Sequence, residues 1–233
     1  MKGTAPSTLG EMKDFVCAFA QSTPTSLPKE EIKYWLSRKG ELASLILRTL
    51  NEALPKFWDW QMFFQKYFNM KLDLSNLKTP PEQESFSRLI IVPKGITPNR
   101  IYEVCAKNFS CWKWTNDLDE AIDHNDRKST ETYVIWVRDR QEADEENKNI
   151  SADKATGQEV KGQTLNERLM QELKCWDETK EHLDVENVTI CSGSRSSDGY
   201  VPIVYWCSGQ LHVYWCDPQH ADSSWRVRTV VSF

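Results

Sequence analysis

The sequence predicts an α+β fold, an all-helical N-terminal region followed by an α+β domain whose mainly antiparallel sheet ends in a β-meander. Three observations predict it. Apolar residues before position 77 recur at helical spacing, the last fifty residues fall into short β-branched and aromatic runs, and Pro80-Pro81 interrupts the chain between the two regimes. The expected organisation is a helical region at 1–77, an extended linker at 78–87 and an α+β domain at 88–233.

The elements follow in order. Met12, Phe15, Val16 and Phe19 share one helix face. Ser26 reads as an N-cap with Pro28 in the first turn, and Ile32, Trp35 and Leu36 then form a face that stops at Gly40. Leu42, Leu45, Ile46, Leu50 and Ala53 stripe a third helix that Pro55 ends. Residues 57–68 carry seven aromatics, Phe57, Trp58, Trp60, Phe63, Phe64, Tyr67 and Phe68, too many for one stripe, so another surface must cover some of them. Arg88–Val92 reads as a buried strand, Pro93-Lys94-Gly95 as a turn, and Thr97-Pro98 as the cap and first residue of a helix burying Ile101, Val104 and Cys105. Short strands are expected at Cys111–Trp114 and Glu131–Val137. Residues 138–162 are polar and read as a long surface excursion. Thr164-Leu165-Asn166-Glu167 has the form of a capping box opening a helix with Leu165, Leu169, Leu173 and Trp176 on one face.

Four strands should close the chain near 186–191, 201–207, 210–216 and 225–232. Tyr205-Trp206-Cys207 is echoed by Tyr214-Trp215-Cys216 across Ser208-Gly209-Gln210, a hairpin signature. A two-residue Gly209-Gln210 turn would set Tyr205 opposite Tyr214, with both tryptophans on the other face; a three-residue loop would shift that register.

Composition excludes several classes. Among 233 residues, 39% are hydrophobic and 27% charged, which rules out a disordered polyelectrolyte or a coiled-coil rod. The longest apolar runs fall far short of the ~20 residues of a membrane span. Met1 and Lys2 are followed by Gly, Thr, Ala, Pro and Ser and not by an apolar signal core, so the expected location is cytoplasmic. The sequons at Asn108, Asn149 and Asn187 would matter only in a secreted chain. Seven cysteines without a C-x-x-C pair fit free thiols better than disulfides or a zinc site. The net charge of −5 is uneven: residues 88–115 carry +4 and residues 116–186 carry −10. No segment has the dense basic run of a sequence-independent nucleic-acid binder, so broad nucleic-acid binding is disfavoured.

Two loops carry the residue types of a site. In Cys191–Gly199, small hydroxyl residues and two glycines would let backbone amides approach an anion, with Ser194, Arg195, Ser196 and Asp198 as ligand-binding candidates. The loop lacks the P-loop and G-x-S-x-G spacings, and a solvated turn is the plainer reading. Arg138-Asp139-Arg140 leaves a strand end and is followed by Glu142, Asp144, Glu145 and Glu146, a group suited to Mg²⁺ or proton transfer, or equally to an internal Arg–carboxylate brace. The four histidines lack helical metal spacing, so zinc is not expected; no metal site or cofactor is assigned. Trp58, Trp60, Trp112 and Trp114 are candidates to stack on a base, a sugar or a partner, against core packing as the plainer role.

Over about 88–233 the chain resembles a group of bacterial cytosolic proteins with no assigned activity, at Arg88–Asn99, Tyr133–Glu146 and Thr189–Gly199. That resemblance implies a bacterial cytosolic origin and no mechanism.

The leading reading is a non-enzymatic binding or protein-interaction protein. Its helical region would dock a protein partner or a second copy through 57–68, chiefly Trp58, Trp60, Phe63 and Phe64. Its α+β domain would hold a small anionic ligand among Arg138, Asp139, Arg195 and Asp198. The alternative is a metal-dependent hydrolase or transferase on a phosphate-containing substrate, with Asp139, Glu142 and Asp198 as metal or acid/base groups.

Overall fold

A computed structural model describes residues 8–22, 27–53 and 57–233, which divide into two compact units, Lys2–Trp58 and Asp59–Phe233. The class is α+β, with mostly antiparallel pairing and some parallel pairing. Among the described residues no helix is long and apolar enough to cross a membrane.

The first unit is helical: α1 (Leu9–Ser22), α2 (Lys29–Ser37) and α3 (Lys39–Ala53). Several of its apolar side chains are exposed. Phe15, Val16, Phe19, Ile32, Tyr34, Leu36 and Leu45 are exposed, and α2 buries no residue. The break between α2 and α3 falls at Arg38, with φ −126° and ψ 46°, so Gly40 lies inside α3 and does not end α2. Ser26 and Pro55, and the side chains of Met12, Leu50 and Ala53, lie outside what the structure describes.

Helix α4 (Trp58–Phe68) starts on the last residue of the first unit and opens the second, which is organised around α8 (Leu165–Thr179). The capping box at its start forms as the sequence predicts: Thr164 Oγ1 accepts the Glu167 N–H, and Glu167 accepts the Thr164 N–H. Every residue from Leu165 to Lys174 is buried, the polar ones included. The ribbon of β1 (Arg88–Val92) and β4 (Tyr133–Val137) pairs antiparallel, and α5 (Pro98–Asn108) starts on the predicted Thr97 cap. Both pack on α8. The segment 78–87 lies within this unit, where the Pro80 carbonyl accepts the Trp136 indole N–H at 3.0 Å.

The principal sheet takes β2 (Cys111–Lys113), β5 (Val188–Ile190), β7 (Val201–Cys207), β8 (Gln210–Cys216) and β9 (Trp225–Val227) in the order β2-β8-β7-β5-β9. Its centre is antiparallel. The outer strands are not the antiparallel continuation of a meander: β2 lies parallel beside β8, and β9 parallel beside β5. Short α6 (Leu118–Ala121) and the small pair β3 (His124–Asn125) and β6 (Ser194–Arg195) complete the framework.

Two expectations are corrected. The hairpin turns at Ser208-Gly209, whose φ values of 51° and 78° fit a two-residue type I′ turn, so Tyr205 faces His212 and not Tyr214. The slip is two residues, so every side chain keeps its face. Residues 138–162 are no surface excursion. They form one 3₁₀ turn at Glu145–Asn147 and α7 (Ala152–Gly157), and Ile150, Ala152 and Ala155 close a core with Ile190, Val201, Ile203, Cys216 and Val227.

Candidate functional site

The sheet alternation puts Trp112, His212, Tyr214, Ile203, Tyr205, Val188 and Trp225 on one face, with Ile190, Val201, Cys216 and Val227 beyond them. Residues near α7 cover the second group. The first is left partly open, and a cavity of about 460 Å³ lies there. Tyr205, Tyr214, Trp215, His220 and Trp225 supply aromatic walls, Val188, Ile203 and Cys216 supply apolar surface, and among the described residues Asp217 is the one acidic lining residue. Among the described residues no Lys or Arg lines it.

The rings are held by their neighbours. Tyr205 stacks on His212 with centroids 5.1 Å apart and planes within 7°; Trp112 and Tyr214 stack at 5.7 Å and 21°. The His220 ring lies 4.5 Å from the Trp225 ring. Strand order makes these contacts one-sided. His212 covers Tyr205 from the β8 side while the cavity opens toward β5, and Trp112 covers Tyr214 from the β2 side while the cavity opens toward β7. Among the described residues, neither tyrosine hydroxyl nor the Trp225 indole N–H has a hydrogen-bond partner in the protein. Asp217 Oδ1 accepts the Gln219 N–H at 2.8 Å, which fixes the carboxylate.

Burial shifts the titration of two groups that line the cavity. Burial, reinforced by Asp217 and only partly offset by Arg195, pushes the Cys216 thiol up to about 12, so it stays protonated and is a poor nucleophile at neutral pH. Burial and the neighbouring Cys207 and Tyr214 likewise raise Tyr205.

The residues singled out from sequence have other commitments. Arg138 pairs with buried Asp144, lies 3.7 Å from Glu146 and sits 4.3 Å over the Phe86 ring. Asp139 is exposed. Glu142 accepts N–H groups from Val185, Glu186 and Asn187 and the Asn187 side-chain amide, closing a turn. Arg195 donates to the carbonyls of Ser192 and Ser194. Ser194 is buried, where its Oγ accepts the Leu165 N–H at the start of α8 and donates to Asn125 Oδ1. Ser196 donates to exposed Asp198 at 2.5 Å. Among the described residues no hydrogen bond or ion pair joins Arg138 or Asp139 to Arg195 or Asp198. Among the described residues, no group of three or more His, Cys, Asp or Glu is placed to hold a metal ion.

The aromatic helix α4 is spent inside its own unit. Trp60, Phe63 and Phe64 are at most 3% exposed, and Lys174 of α8 lies over the Trp60 and Phe63 rings at 5.0 and 5.2 Å. Lys66 and Tyr67 both reach Asp177 of α8. Trp58 alone of the four named residues is exposed.

Sequence reasoning missed the cavity. The Tyr-Trp-Cys echo marked Tyr205 and Tyr214 as sharing a face, which was the available signal. Trp225 and His220 reach it only through the parallel β5–β9 pairing, which no local pattern announces. No protein-family model, no curated protein and no solved structure matches this chain.

Proposed function

We propose that Asp59–Phe233 is a ligand-binding domain that acts without chemistry of its own, and that its site is the aromatic cavity over β5, β7, β8 and β9. One observation carries the reading: an open cavity of about 460 Å³ is lined by Tyr205, Tyr214, Trp215, His220 and Trp225, and among the described residues no side-chain hydrogen bond within the protein satisfies the polar atoms of these rings. Its size falls in the range of roughly 300–1,000 Å³ usual for small-molecule sites, and a few polar groups among apolar walls are the common composition of such sites.

A fragment screen by two-dimensional NMR tests this reading. Fragments of several chemistries should shift the Trp225 indole resonance and the β7–β8 amides saturably, and Tyr214→Ala, at an exposed position, should weaken them without unfolding the domain. Saturable shifts confined to another surface, or none at all, would remove the cavity as the site.

A further inference from the structure

We infer that the cavity takes an organic cation, specifically an alkylated ammonium head group. This rests on the ligand-binding reading above and names the class of ligand.

Some aromatic rings of this unit are covered by the chain's own cations. In this unit Lys66 Nζ lies 4.7 Å from the Tyr67 ring centroid, Lys113 Nζ 5.0 Å from Tyr102, and Lys180 Nζ 3.8 Å from Trp176. The negative face of each ring is thus covered by a cation from the same chain. Among the described residues no Lys or Arg lies over Tyr205, Tyr214 or Trp225, although each is at least partly open, so the rings that line the cavity are not covered by a cation of the chain. Beside them stands Asp217, held in place and without an ion-pair partner.

These features select by charge. A phosphate or carboxylate would meet Asp217 with no Lys or Arg among the described lining residues to offset the repulsion. An uncharged ring would gain stacking but nothing from the carboxylate. A methylated ammonium gains from both, because ring quadrupoles and a carboxylate attract the same sign, while its methyl groups lie against Val188 and Ile203. Its weak hydration also keeps the cost of entering an aromatic site below that of a primary ammonium.

The test is a titration of the full chain with choline and with its uncharged isostere 3,3-dimethylbutan-1-ol, followed at the Trp225 indole and β7–β8 amides. Methyl β-D-glucoside and adenosine serve as neutral sugar and base probes. Choline should bind about tenfold or more tightly than the isostere, and Asp217→Asn should remove most of that difference while leaving the isostere unchanged. Equal binding of choline and the isostere, or binding of the glucoside or adenosine in preference to choline, would overturn the cation assignment and leave the ligand-binding reading standing. Failure of all four probes to shift the cavity would also overturn it, and the fragment screen then judges the broader reading by itself.

Discussion

The Arg228 guanidinium meets the Asp184 carboxylate at 2.6 Å with both side chains sealed from solvent. Arg168 approaches the same carboxylate from α8 at 2.8 Å, and Thr189 donates to it at 2.5 Å. Burial works against ionisation here, but the two guanidiniums and the hydroxyl overcome it and hold Asp184 below the usual carboxylate range. Asp184→Asn leaves two buried cations short of a partner and should cost about 3–5 kcal/mol in denaturant unfolding.

The same carboxylate sets an acid limit. A group whose folded pKa is depressed contributes stability above its unfolded value, near ~3.9, and loses it as pH falls through the folded value. Unfolding free energy measured from pH 7 to pH 2 should therefore fall below about pH 4, and Asp184→Asn should flatten that limb relative to its own neutral-pH stability.

Gly162 and Gly193 let two segments cross at contact distance. A Cβ on Gly162 would overlap Ser192 Oγ and approach Val227 Cγ1 to 2.8 Å; one on Gly193 would come within 2.8 Å of the Gly162 carbonyl. Gly162→Ala should destabilise by about 1–3 kcal/mol, with partial recovery in the Gly162→Ala, Ser192→Ala double variant, because removing the hydroxyl relieves the worst overlap. Gly193→Ala has no such rescue, since its obstacle is backbone. Thermal melts of the three variants check the order.

Helix α4 offers a contrast within one short segment. Phe63→Ser removes a buried ring from the α4–α8 contact and should cost about 3–5 kcal/mol. Trp58→Ser, at a position 42% exposed, should stay within about 0.5 kcal/mol by the same measurement.

Thiol chemistry should divide the seven cysteines. Cys17 and Cys207 are exposed. Cys105 and Cys191 are buried, and burial pushes their thiols well above the ordinary value; it raises Cys111 to about 12 and lifts Cys175 as well. With Cys216 also raised, an aromatic disulfide reagent at pH 8 should titrate two thiols quickly in the native protein and the other five only on unfolding.

Much of this fold is local physics, and that part was legible. The Thr164 capping box, the Thr97-Pro98 start of α5 and the alternation of β7 and β8 each place their own residues. What escaped depends on distant partners. Ala152 and Ala155 are too small to announce a core helix, yet they are buried in one cluster with Ile190, Val201 and Val227 of the sheet. Arg138 and Arg195 carried the right chemistry for a site, but both are occupied by neighbours whose proximity depends on the folded chain. Trp225 read as one residue of a last strand, and only its parallel pairing with Val188 brings it to the cavity.

The outer strands of the principal sheet also dictate an order of assembly. β7 and β8 are joined by two residues and can zip together at once, whereas the β2 side requires partners such as Ser110 and Gln210, 100 positions apart, to find each other. Chain-closure entropy makes such distant pairings slow relative to hairpins, so the hairpin is expected to form first and both borrowed edges to close late. The cavity inherits that schedule. A nascent chain released before residue 225 carries Tyr205 and Tyr214 on a formed hairpin but no Trp225 wall, and the cavity is complete only with the final strand.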